Sequence, residues 1–104
     1  MRNLTLRADW NDFSLFDDYE ASPVGAHRIP LELRNELTRW NHDYRPLIAL
    51  APADRVAPAT ADRIAELDAA GRHLAGELKA VFPDATLRYA SEGRGEQGML
   101  GVAV

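Results

Sequence analysis

The sequence predicts an α+β fold: a small antiparallel sheet with two helices packed on one face, in the order β(β)ααβ(β). Three observations lead there. Residues 3–9, NLTLRAD, alternate apolar and polar side chains, the pattern of a half-buried strand. Residues 31–44 and 58–82 repeat apolar side chains at steps of three and four, the spacing of a helix face. Residues 86–90, TLRYA, return to strand alternation after the helical segments.

In the opening strand Leu4, Leu6 and Ala8 share one side, and Thr5, Arg7 and Asp9 the other. WND at 10–12 reads as a turn, and FSLF at 13–16 as a short returning strand. ASPVGAH at 21–27 is loop by its Ser, Pro and Gly content. Pro30 introduces the first helix, whose face is Leu33, Leu37, Trp40 and Tyr44. Pro46 disfavours helical geometry at Arg45, so the helix is expected to end there. Three prolines make 46–58 an irregular crossover, with LIAL (47–50) tucked against the core.

A longer helix starts at Pro58, with Ile64, Leu67, Gly71, Leu74, Leu78 and Val81 on its apolar stripe. Asp68 precedes Arg72 by four residues and predicts a surface ion pair worth a few tenths of a kcal/mol. Gly71 costs about 1 kcal/mol relative to Ala in a helix, so close approach by Trp40 or a strand is expected there. FPDA at 82–85 breaks the helix. SEGRGEQG at 91–98 reads as a flexible turn, and MLGVAV at 99–104 as either a last strand hairpinned to 86–90 or a loosely held tail.

The totals bound the function. At 104 residues the chain suits one domain, 1–104, long enough for a core without staples. It has no cysteine, which excludes a disulfide framework, a thiolate nucleophile and a Cys-based zinc site. Charges at Arg2, Arg7 and Asp9 argue against a signal peptide, and no run of 18 apolar residues offers a membrane span. A cytoplasmic location is the expectation.

No catalytic or metal constellation stands out, so no enzyme activity and no cofactor are expected. His42 and Asp43 are adjacent and point apart on a helix, whereas His73 and Glu77 are four apart and could meet, but only as a solvated pair on the polar face. There is no HExxH and no Walker sequence, and no strand-turn-helix follows EGRGEQG to make a phosphate cradle. Ser14, Ser22 and Ser91 have no motif around them. Eleven of the twelve basic residues are arginine but are scattered among acids, and a pI near 5.3 opposes nucleic-acid binding.

The charge is unevenly placed. Residues 8–27 hold five acids and no Lys or Arg, a charge of −5, while the remainder holds eleven acids and twelve bases, +1. Within that segment DWNDFSLFDDYE (9–20) sets four aromatics, Trp10, Phe13, Phe16 and Tyr19, three residues apart among the acids. Trp10 and one of the two phenylalanines are expected in the core. Carboxylates beside an aromatic anchor suit a basic protein partner, because charge speeds encounter and the ring supplies contact area. The candidate partner-binding residues are Asp12, Asp17, Asp18, Tyr19 and Glu20.

Four segments, ADWNDFSLFDD, IPLELRNELTRWNHDY, the Pro-containing crossover and LDAAGRHLAGELKAVFPDATLRY, resemble a group of short, mostly uncharacterised bacterial proteins. The resemblance covers roughly residues 4–90. In size, acidity and lack of catalytic motifs that group is similar to the immunity proteins of bacterial toxin systems. The resemblance implies a cytoplasmic protein that binds and neutralises a cognate toxin domain through its acidic surface. Two other readings stand beside it: an interaction or assembly subunit, homodimeric through a sheet edge or MLGVAV, and a small-ligand-binding domain with a pocket between Trp40, Tyr44 and the sheet.

Overall fold

Alternation at Leu4 and Leu6 builds the first strand, β1 (Asn3–Leu6), which lies at the middle of a five-stranded sheet. A computed structural model describes residues 3–9, 15–17, 22–23, 28–50, 52–91, 93 and 102–103. β2 (Leu15–Asp17) runs antiparallel to β1, and β3 (Ser22–Pro23) pairs antiparallel with β2 at the sheet edge. β4 (Thr86–Tyr89) lies on the other side of β1, and β5 (Val102–Ala103) closes that side antiparallel to β4. The order is β3-β2-β1-β4-β5.

The α+β class, with both helices between the opening and closing strands, is as the sequence predicts. The sheet differs in two ways: Ser22–Pro23, expected as loop, form the edge strand β3, and the pairing is mixed and not all antiparallel. β1 and β4 are parallel, with Leu4 opposite Leu87 and Leu6 opposite Tyr89. A parallel neighbour needs a long crossover, and the two helices provide it. Alternation of side chains reports burial of one face and is blind to strand direction, so the pattern alone could not separate the two arrangements.

α1 (Leu31–Ile48) and α2 (Pro58–Val81) cover the face that carries Leu4, Leu6, Leu87 and Tyr89. Leu33, Leu37, Trp40 and Tyr44 from α1 join Leu67, Leu74, Ala75 and Leu78 from α2 in one core cluster. The Trp40 indole donates to the Leu67 carbonyl at 2.8 Å, locking the two helices in register. Gly71 makes the close approach expected of it: a Cβ there would stand 2.3 Å from Cε1 of Tyr89, so the strand's ring occupies the space. The opposite sheet face is more open. Arg88 is exposed, and the Arg7 guanidinium lies 4.3 Å from the centre of the half-buried Phe16 ring. Phe16 is therefore outside the core cluster, while Trp10 and Phe13 lie outside the described residues.

α1 does not end at Arg45. It carries Pro46 in its last turn and continues to Ile48. Leu47 and Ile48 pack on the core, and partial burial of both side chains offsets the lost hydrogen bond. The final carbonyls find a partner in Arg55, from a 3-10 helix at Pro52–Val56: its Nη2 donates to Ile48 O at 2.9 Å and its Nε to Leu50 O at 3.0 Å. The crossover thus contains a short helix that caps α1 by a side chain. α2 begins with Pro58 in its first turn, where a missing N–H costs nothing. After α2, Lys79 donates to the carbonyls of Pro83 and Ala85 and holds the turn into β4.

Candidate functional site

The apolar stripe of α2 runs 64, 67, 71, 74, 78, and Asp68 sits on it, 3% exposed. A buried carboxylate needs hydrogen-bond donors, and three hydroxyls supply them. Tyr44 from α1 donates to Oδ1 at 2.8 Å, and Tyr89 from β4 donates to the same oxygen at 2.5 Å. Ser91, just past β4, donates to Oδ2 at 2.6 Å. Each hydroxyl has one proton, and all three protons go to Asp68. The 3.3 Å approach of Tyr44 Oη to Ser91 Oγ therefore has no proton left to share. Tyr44 Oη instead accepts the backbone N–H of Gly93 at 2.9 Å.

Asp68 is thus no surface partner of Arg72, as the i,i+4 spacing suggested. The core side of the helix supplies better donors, and Arg72 makes no ion pair with the described residues. The other i,i+4 pair forms as expected, with His73 Nε2 3.1 Å from Glu77 Oε1 on the exposed face.

The two phenols respond to this setting. Burial pushes Tyr44 up to about 12; the nearby Ser91 hydroxyl pulls it down, and the bond and charge of Asp68 push it further up. Burial, then the hydrogen bond and charge of Asp68, hold Tyr89 far above the ordinary phenol range, with Arg72 acting in the opposite sense. Both remain protonated donors at neutral pH, which is what the carboxylate between them requires.

Beside Asp68 opens a cleft of about 310 Å³, lined by Arg55, Ile64, Asp68, Arg72, Gly93 and two alanines of α2. Gly93 is buried, and a Cβ there would lie 2.6 Å from both Ile64 Cγ2 and Tyr44 Oη. Its backbone thus seats directly on α2 and the tyrosine, so this glycine is a packed position; 92 and 94–98 of the expected turn lie outside the described residues. The cleft also differs in place from the pocket expected between Trp40, Tyr44 and the sheet. Trp40 packs edge-on against Tyr44 at 5.7 Å and near Tyr89 at 6.0 Å, and these rings fill that space.

The acid-rich segment is anchored at its start. The Asp9 N–H donates to Oδ1 of the buried Asn41 at 2.7 Å, and Arg45 Nε donates to the Asp9 carbonyl at 3.3 Å. Of the candidate partner-binding residues, Asp17 lies in β2, opposite Leu4 on one side and Ser22 on the other. Asp12, Asp18, Tyr19 and Glu20 lie outside the described residues. Among the described residues no three His, Cys, Asp or Glu are grouped to hold a metal ion, and no helix is long and apolar enough to cross a membrane.

Sequence reasoning missed Asp68, Tyr89, Ser91 and Gly93 as a group. One signal was present: an acid inside a helix stripe that is otherwise apolar. No family model, curated protein or solved structure matches the chain.

Proposed function

We propose that this chain is a protein-binding module of the immunity type, which blocks a basic toxin domain with the acid-rich side of its sheet. The observation that carries the reading is the charge division: residues 8–27 hold −5 and the remainder +1. β2 and β3, the strands within that segment, form one outer side of the sheet. Long-range attraction would steer a basic partner to it, and a nuclease toxin has a basic face because it binds phosphate. Asp17, with Asp12, Asp18, Tyr19 and Glu20, forms the contact in this reading, and the protein acts in the cytoplasm without a cofactor.

The test is association with the product of the adjoining gene, measured by stopped flow at low and high salt. The rate should fall as salt rises, since exposed charges are screened beyond about 8 Å at physiological ionic strength. Asp17→Lys with Asp18→Lys should slow association and weaken the complex while changing fold stability by less than about 0.5 kcal/mol. Salt-independent binding that the double variant retains would remove the acidic edge from the interface.

A further inference from the structure

Asp68 and Arg72 have opposite charges one helical turn apart on the same cleft, and they do not meet. Residues at this spacing have Cβ atoms about 5–6 Å apart and ordinarily pair when both side chains face the same way. Here the carboxylate is turned inward to three hydroxyls and the guanidinium is left at the exposed rim. A carboxylate offers about four acceptor positions. Tyr44 and Tyr89 take both positions on Oδ1, and Ser91 takes one on Oδ2. One position on Oδ2 remains, and Asp68 borders the cleft.

The cleft therefore has two unlike ends. At its floor is a buried carboxylate with hydroxyl donors and no cation among the described residues. At its rim stands Arg72, with Arg55 nearby and held in place by its bonds to Ile48 and Leu50. Ile64, Ala61 and Ala65, on the turns of α2 before Asp68, give an apolar wall. We infer that the cleft binds a small dipolar molecule of the free α-amino-acid class. Its ammonium donates to Asp68 Oδ2, its carboxylate pairs with Arg72, and an aliphatic side chain lies along Ile64. An α-amino acid carries its two charges on adjacent carbons, and Asp68 and Arg72 stand one helical turn apart on the same cleft. The volume of about 310 Å³ admits an aliphatic side chain as well as the two charged groups.

Charge selects this ligand over its halves. A carboxylate alone would leave the Asp68 position empty and would feel that negative charge at short range. An amine alone would sit between Asp68 and two guanidinium groups. Only a molecule with both groups satisfies both ends. This inference is independent of the acidic sheet edge, and failure of either leaves the other standing.

The experiment is a titration of the full chain followed by proton–nitrogen correlation spectra, with the Gly93 amide as reporter. L-Leucine is the probe, 4-methylpentanoate is the same molecule without its amine, and 3-methylbutylamine is the same molecule without its carboxylate. L-Leucine should shift the Gly93 resonance saturably at millimolar concentration, and each half should bind at least about tenfold more weakly, the cost of leaving a buried polar partner unmet. Arg72→Gln should weaken L-leucine by a similar factor at unchanged melting temperature, since Arg72 is exposed and has no partner of its own among the described residues. Asp68→Asn should abolish the preference for the amine, and Arg72→Gln keeps the test decisive if that variant fails to fold. No saturable shift with L-leucine would overturn the inference. So would equal binding of 4-methylpentanoate, which would mark a simple anion site, or L-leucine binding that Arg72→Gln leaves untouched.

Discussion

The two halves of α2 bury themselves by different means. The second half places Leu74, Ala75 and Leu78 in the apolar cluster with Leu4, Ala85 and Leu87. The first half places Asp68 among Tyr44, Tyr89 and Ser91, where each contact is a directed hydrogen bond. Dispersion and water exclusion have no direction, so the second half should tolerate a swap of shape at constant volume. The hydrogen-bonded half should not. Removing one member there leaves the others buried and unpaired, while removing all of them together leaves nothing to satisfy. Helix burial is one outcome with two failure modes.

The sharpest way to break the comparison is at Asp68. Asp68→Ala strips three hydroxyls of their acceptor and should cost about 4 kcal/mol in urea unfolding. The combined Asp68→Leu, Tyr44→Phe, Tyr89→Phe, Ser91→Ala variant should recover most of that loss, because apolar replacement of a whole buried polar group is often neutral. If the combined variant is as unstable as Asp68→Ala, the site depends on shape more than on hydrogen bonds. In the other half, Leu78→Ala removes a fully buried side chain and should cost about 3 kcal/mol by lost transfer and a cavity. A cost below about 0.5 kcal/mol would mean that the stripe is not packed.

Alkali should attack only the hydrogen-bonded half. Tyr44 is protonated more tightly in the folded chain, about 12 against an ordinary 10, so its contribution is complete below pH 10. The unfolded chain loses that proton first as pH rises, so stability falls between pH 10 and about 12, by up to about 3 kcal/mol. Tyr89 adds to the same loss, in the same direction. Tyr44→Phe should make the profile shallower over that range, and an unchanged slope would mean that the phenol is not held between burial and Asp68.

The smallest effects separate two glycines of the same helix. Gly71→Ala gains helix propensity but drives a Cβ into the Tyr89 ring, for a net cost of about 1–2 kcal/mol. Gly76→Ala meets nothing within 4 Å and should stabilise by up to about 1 kcal/mol. Chemical denaturation of the pair settles it; equal signs would mean that the Tyr89 ring is not fixed against α2.

These two glycines also mark how far the sequence could be read. The helix stripes, the opening strand and the crowding at Gly71 follow from side-chain period, a local property that neighbouring residues reveal. The end of α1 was misplaced because the Pro46 rule is local, whereas burial of Leu47 and Ile48 and capping by Arg55 come from elsewhere in the fold. The Asp68 site is the extreme case. Asp68 could have been flagged by its place in an apolar stripe, yet its partners lie 21 to 24 residues away, and no spacing rule connects them. The direction of β4 was hidden for a similar reason, since pairing with β1 is set by the path of the helices between them.

That parallel pairing has a consequence during synthesis. β1 is made before both helices, and its partner Thr86–Tyr89 follows only after them. Until then Leu4 and Leu6 have the hairpin with β2 and no covered face, and the strand's other edge is an open template for any extended chain. Residues joined across such a long loop meet late, because the loss of chain entropy comes before the contacts that offset it. The central pair of the finished sheet is therefore among the last contacts to form. The hazardous interval for this protein is the time taken to build α1 and α2, when the nascent chain carries a half-apolar strand in wait.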